Sequence, residues 1–108
     1  MSFTINLYYT GEGNNAIKFV QEMESRGIAN RIRQQPGNLR YEYFQSLDDP
    51  RTVLLLDSWE NQEALDADHE SPMMAELAEL RDKYNLHMRA ERFIPEKLPK
   101  QDDKFLRH

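Results

Sequence analysis

The chain has 108 residues, 39% of them hydrophobic and 31% charged, with a formal net charge of −5 carried by interleaved acids and bases. That length holds one domain with a modest core and no separate cofactor unit, and the composition is that of an ordinary soluble globular protein. The acidic balance offers no electrostatic footprint for nucleic acid or an anionic membrane, and the absence of cysteine excludes disulfides, thiolate metal sites and iron–sulfur clusters and fits a cytoplasmic location.

The first residues, Met1-Ser2-Phe3-Thr4, show no basic segment followed by an apolar run, and no stretch approaches membrane-spanning length, so neither targeting nor insertion is expected. Phe3, Ile5, Leu7 and Tyr9 alternate with Thr4, Asn6, Tyr8 and Thr10, a period of two that predicts a strand. Gly11-Glu12-Gly13 ends it, and Asn14 or Asn15 can cap a helix with core positions at Ala16, Phe19, Val20 and Met23. Gly27 predicts a kink or break near residues 25–27, beyond which Ile28 and Ile32 continue a rotated apolar stripe as far as the stop at Pro36-Gly37. A second strand is expected at about 39–46, a turn at Asp48-Asp49-Pro50, and a third strand at 52–59, the two strands forming a hairpin. Asn61 caps a short helix, and Ser71-Pro72 restarts it with Pro at the first helical position. Met73, Leu77, Leu80 and Tyr84 share one face of that second segment, Asn85 stops it, and residues 87–94 make a fourth strand ended by Pro95.

Strand, helix, strand, strand, helix, strand is the order of a ferredoxin-like α+β domain, placed at 1–95 and followed by a charged tail at 96–108 in which only Phe105 and Leu106 are bulky and apolar neighbours. The second face of strand one carries Thr4, Asn6 and Tyr8, too mixed for a monomer core and too uncharged for a bare surface. Packing two such faces together as a homodimer answers the problem, with a chance for Phe105 and Leu106 to dock on the partner. Gly11, Gly13 and Ala16 formally fit a dinucleotide fingerprint, but Glu12 would oppose the pyrophosphate and strands one and two are not neighbours in this topology, so they read as a turn and helix start.

Several blocks taken together carry a resemblance: Pro36-Gly37-Asn38-Leu39-Arg40-Tyr41-Glu42, Ser46-Leu47-Asp48-Asp49-Pro50, Asp57-Ser58-Trp59-Glu60, Ala64-Leu65-Asp66-Ala67 and Ser71-Pro72. In order and spacing the segment from Pro36 to Phe93 resembles the antibiotic biosynthesis monooxygenase family. The resemblance implies a dimeric α/β barrel. The best-understood members oxidise phenols or hydroquinones with molecular oxygen and use no metal, flavin or haem. Other members degrade haem, process a phosphorylated sugar, or have no assigned activity. The haem branch is disfavoured because Asp68 and Ala78 stand about where it carries a second Trp and an axial His. The phosphosugar reading is weakened by the acidic run around residues 66–70.

The expected activity is therefore oxygenation of a small aromatic hydroquinone or phenol, the alternative being a dimeric ligand-binding or stress-response protein without turnover. His69, where the second helix breaks, is the candidate base, since only an imidazole titrates near neutral pH unaided. Many relatives carry the histidine one position earlier, where this chain has Asp68. The resemblance places Trp59 beside the pocket, and Arg40 is the candidate oxyanion stabiliser or, with Asp57, a cross-strand ion pair. Tyr41, Tyr43, Phe44, Leu55, Leu65, Met73 and Leu77 are the candidate substrate-binding wall. No cofactor is expected. Asp66 and His69 lack a third ligand, so no metal is expected either.

Overall fold

The computed structural model describes residues 1–107, so His108 at the end of the expected tail lies outside the described residues. The alternation at the start of the chain forms strand β1 (Phe3–Thr10), which the turn at residues 11–14 leads into helix α1 (Asn15–Ser25). Gly27 takes φ +72°, a left-handed conformation open to glycine at little steric cost, and starts the separate helix α2 (Ile28–Arg33). The expected break is therefore a clean division. Strands β2 (Asn38–Gln45) and β3 (Thr52–Trp59) form the hairpin, and helices α3 (Gln62–His69) and α4 (Pro72–Lys83) precede strand β4 (His87–Phe93). A 3-10 segment covers Lys100–Phe105, where the phenyl ring of Phe105 is exposed.

Capping differs from expectation in two places. Asn14 occupies the α1 cap position without a side-chain bond, and Asn15 instead donates from Nδ2 to the Tyr84 carbonyl at 3.2 Å. The Ser71 hydroxyl donates back to the Asp68 carbonyl at 2.6 Å, closing α3 rather than capping α4. Asn61 does cap α3, accepting from the Ala64 N–H at 2.9 Å. Asn85, at φ +49°, ends α4 in the left-handed region that asparagine tolerates.

The four strands form one antiparallel sheet in the order β2-β3-β1-β4, a ferredoxin-like α+β fold. Phe3, Ile5, Leu7 and Tyr9 stand opposite Trp59, Asp57, Leu55 and Val53, which places all eight on the face covered by the helices. Phe19, Met23, Ile28, Ile32 and Leu80 press onto that face from α1, α2 and α4 and are essentially without solvent contact. Each such side chain contributes about 1.5–3 kcal/mol by leaving water. Val20, expected in the core, is only half-buried against it. On the open face, Thr4 meets Ser58, Asn6 meets Leu56 and Tyr8 meets Leu54.

Candidate functional site

Between the covered face and helices α3 and α4 lies a cavity of about 280 Å³. Its walls are apolar or aromatic: Leu7, Tyr9, Ile32, Tyr41, Leu55, Met74, Leu77 and Met88. Two carboxyls, an imidazole and a guanidinium share it: Asp57, Asp68, His69 and Arg81. Convergence of a few polar groups in an apolar concavity is the common form of a small-molecule site.

Asp57 enters through strand periodicity. It sits between Leu55 and Trp59 on the covered face of β3, so the residue is only 6% exposed. The Trp59 indole, two residues on and on the same face, donates from Nε1 to Asp57 Oδ1 at 2.8 Å. Asp57 Oδ2 receives no hydrogen bond among the described residues. Burial pushes the carboxyl up to about 7, the nearby Asp68 carboxylate adds to the rise, and the indole bond opposes it.

Asp68 follows Leu65 by three residues, so both point inward from α3. Gln35 donates from Nε2 to Asp68 Oδ1 at 3.3 Å. Burial raises this carboxyl, while the His69 charge and the Gln35 bond pull it down. His69 itself, the last residue of α3, is exposed at the rim of the cavity.

Three phenols stand behind or in the wall. Burial raises Tyr9, Tyr41 and Tyr43 far above the ordinary phenol range, so all three remain neutral donors. The Tyr41 and Tyr43 hydroxyls are bonded to each other at 3.0 Å, with the rings edge to face. The Tyr9 hydroxyl has no hydrogen-bond partner among the described residues, although Tyr9 is 2% exposed and lines the cavity. Arg81 has no carboxylate partner among the described residues. Its Nη1 reaches only Met88 Sδ, at 3.7 Å.

Of the residues expected at the site, Tyr41, Leu55, His69 and Leu77 line the cavity. Trp59 and Leu65 are buried in the core behind it, and Tyr43 touches it only through Tyr41. Met73 packs on the core, and its neighbour Met74 reaches the cavity instead. Arg40 and Phe44 do not join this group. A register shift between Asn38 and Arg40 sets Arg40 opposite Ser58 and Phe44 opposite Leu54, on the open face, while Tyr41 takes the place opposite Asp57. The expected Arg40–Asp57 ion pair is therefore absent. Arg40 donates instead to Glu42 at 2.9 Å.

The cation in the cavity is Arg81, which the sequence reading missed. It lies four residues after Leu77 and seven after Met74, a spacing that puts all three on one helical face. Asp57 and Tyr9 were also legible, since strict alternation runs through Val53, Leu55, Asp57 and Trp59 on one strand and Leu7 and Tyr9 on another. Among the described residues, no group of three or more His, Asp or Glu side chains is arranged to hold a metal ion.

The sequence profile described as antibiotic biosynthesis monooxygenase matches residues 3–80. No curated protein matches the chain. The fold is similar to that of SnoaB, a cofactor-independent oxygenase from Streptomyces nogalater, at 16% identity and a TM-score of 0.74, covering 92% of this chain and 97% of that one. It is also similar to Rv0793 from Mycobacterium tuberculosis (13% identity, TM-score 0.75, 91% and 98% covered). PA3566 from Pseudomonas aeruginosa superposes at 16% identity and a TM-score of 0.73, with 89% and 95% covered.

Proposed function

Because the chain belongs to the antibiotic biosynthesis monooxygenase family, whose profile spans residues 3–80, we propose that it oxidises a small phenol or hydroquinone with molecular oxygen and without a bound cofactor. The observation that carries this reading is the cavity: apolar and aromatic walls enclosing a buried carboxyl poised near 7. A general base works best when its pKa lies near the working pH. Asp57 in the wall and His69 at the rim are the two groups able to take the proton. An electron-rich phenolate then reacts with oxygen directly. A phenol with a free para position plus O2 gives a para-quinone plus water, so the substrate supplies all four electrons that O2 takes up and no external reductant is needed. The apolar walls keep water out and strengthen every charge interaction inside.

Two copies pack through the open sheet face in this reading. Leu54 and Leu56 are half-buried there among Thr4, Asn6 and Tyr8, and all seven residues of β4 are exposed in the single chain. No helix among the described residues is long and apolar enough to cross a membrane.

Oxygen uptake with a panel of dihydroxynaphthalenes and anthrone-like phenols tests the activity. Uptake with one or more of them is expected, and a protein inert to the whole panel would sink it. Sedimentation equilibrium at micromolar concentration tests the assembly. A mass near twice 12.9 kDa is expected, and a monomer would rule the dimer out.

A further inference from the structure

Arg81 stands apart from the other arginines of the fold. Arg26, Arg31, Arg33, Arg40, Arg51 and Arg89 each meet a carboxylate, and Arg92 donates to the Gln62 side-chain oxygen at 2.7 Å. Arg81 reaches no oxygen acceptor among the described residues, in a chain whose 19 acidic residues outnumber its 14 lysines and arginines. Its own helix offers none, because Leu77, Ala78, Tyr84 and Asn85 occupy the positions three and four residues away. The one contact runs from Nη1 to the Met88 thioether at 3.7 Å, a weak acceptor that leaves the rest of a five-donor guanidinium without a protein partner. Yet the side chain is half-buried and lines the cavity.

The strands beneath the cavity set where the charges lie. Its floor runs from Asp57, opposite Ile5, across the Leu7–Leu55 pair to Tyr9, which stands opposite Met88 of β4. Ile5 and Tyr9 are four residues apart on β1, roughly 13 Å at about 3.3 Å per residue. Asp57 and Asp68 share one end, where the Asp68 charge acts on the Asp57 carboxyl. Arg81, in contact with Met88, marks the other. Helix α4 spans a similar length, since Met74 near its start and Arg81 near its end are seven residues or roughly 10 Å apart. The space is therefore bipolar along its length, with apolar walls between the two ends.

Resting on the oxygenase reading above, we infer that the phenol taken by this cavity carries a carboxylate, which Arg81 holds at the Tyr9–Met88 end while the hydroxyl lies toward Asp57 and Asp68. A carboxylate matches the planar fork of a guanidinium, whose parallel N–H groups can donate to both of its oxygens. The reverse orientation sets the ligand's charge beside two carboxyls and forgoes the cation. One guanidinium against two carboxyls also favours a single negative charge over the near-dianion of a phosphate. Between the ends, Leu7, Leu55 and Leu77 offer apolar surface to a flat ring system, and about 280 Å³ has room for a fused bicyclic one. Arg81 is in this arrangement a binding residue that selects the substrate and takes no proton.

Binding measured without oxygen separates the anchor from the chemistry. The probes are 6-hydroxy-2-naphthoate, with hydroxyl and carboxylate at opposite ends of its long axis, and its methyl ester, each titrated calorimetrically into the full chain. Wild type is expected to bind the acid on the order of tenfold or more tightly than the ester, as a charge-assisted hydrogen-bonded pair supplies. Arg81→Met keeps the apolar stem and removes the fork. It should bring the acid down to the affinity of the ester and leave the ester unchanged, which also shows that the cavity is intact. Arg81→Lys should keep only part of the preference, because an ammonium is a point charge without the fork. Wild type that binds neither probe, or the acid no better than the ester, overturns the anchor, and so does an Arg81→Met variant that keeps the preference. Oxygen uptake on the phenol panel reports on the oxygenase reading separately. Uptake without a preference for the acid overturns the anchor alone. A preference for the acid without any uptake overturns the oxygenase reading and leaves the anchor standing.

Discussion

The indole nitrogen of Trp59 donates a 2.8 Å hydrogen bond to the carboxylate of Asp57, two residues earlier on the same strand and the same face of the sheet. One bond thereby links the largest fully buried side chain of the protein to the one buried carboxyl held near 7 among the described residues. The contact uses one carboxylate oxygen, and the other receives no hydrogen bond among the described residues.

Removing that bond without removing the ring separates tuning from packing. The indole favours the ionised form of Asp57, so Trp59→Phe should raise the carboxyl further and move the acid limb of the rate profile to higher pH. Trp59→Ala opens a cavity in the core and should cost roughly 3–5 kcal/mol of stability. Denaturant melts and a pH–rate series on both variants check this. An unchanged acid limb in Trp59→Phe would remove the indole from any role in setting the base.

Asp68→Asn should act in the opposite direction. It deletes the like charge that helps to raise Asp57, and it leaves a side chain that still accepts from Gln35. The acid limb should move to lower pH. A shift upward, or none, would show that the two carboxyls do not feel each other across the cavity.

Asp57 also gives the stability a pH dependence whose sign is the reverse of the usual carboxylate. Its pKa is 3.8 when unperturbed and about 7 when folded, so between those values the folded protein holds a proton that the unfolded chain has released. Stability therefore falls as pH rises from about 4 to 7, by up to roughly 4 kcal/mol. Asp57→Asn has no such proton to lose. It should melt higher than wild type at pH 8, with the difference shrinking toward pH 4, as thermal melts across that range would show.

His69→Ala is expected to leave stability within about 0.5 kcal/mol, because the side chain stands exposed at the end of α3. Its effect on oxygen uptake then reports on the rim alone. A fall of less than tenfold fits a residue at the mouth, and a fall of a hundredfold would return the base to His69.

Gly37 tests how α3 is held over the sheet. It takes φ +86°, and a Cβ there would lie 2.6 Å from the Ala64 Cβ. Gly37→Ala meets both the left-handed backbone cost, about 1–2 kcal/mol, and a clash that pushes α3 outward. A thermal melt should show the loss of stability, and weaker binding of a phenol probe should accompany it, because Asp68 and His69 ride on the displaced helix.

The elements themselves were written locally. The alternation of residues 3–10, the glycine at 27, the turn at 48–50 and the Ser71-Pro72 restart each act through neighbours a few residues apart, and the structure places a strand, a break, a hairpin turn and a helix start there. A third of the site was legible for the same reason. Tyr41, Leu55 and Leu77 lie where strand and helix periods point inward, and His69 reaches the rim from the end of α3. What only the tertiary structure decided is which of these inward residues meet. A one-residue register shift in β2 sends Arg40 and Phe44 to the open face and brings Tyr41 opposite Asp57. The packing of α4 then selects Met74 and Arg81 for the cavity and leaves Met73 on the core. Periodicity assigns a side chain to a face, but strand register and helix packing are long-range choices, made by the summed burial of a whole core, and those choices brought Asp57, Tyr9 and Arg81 to one space.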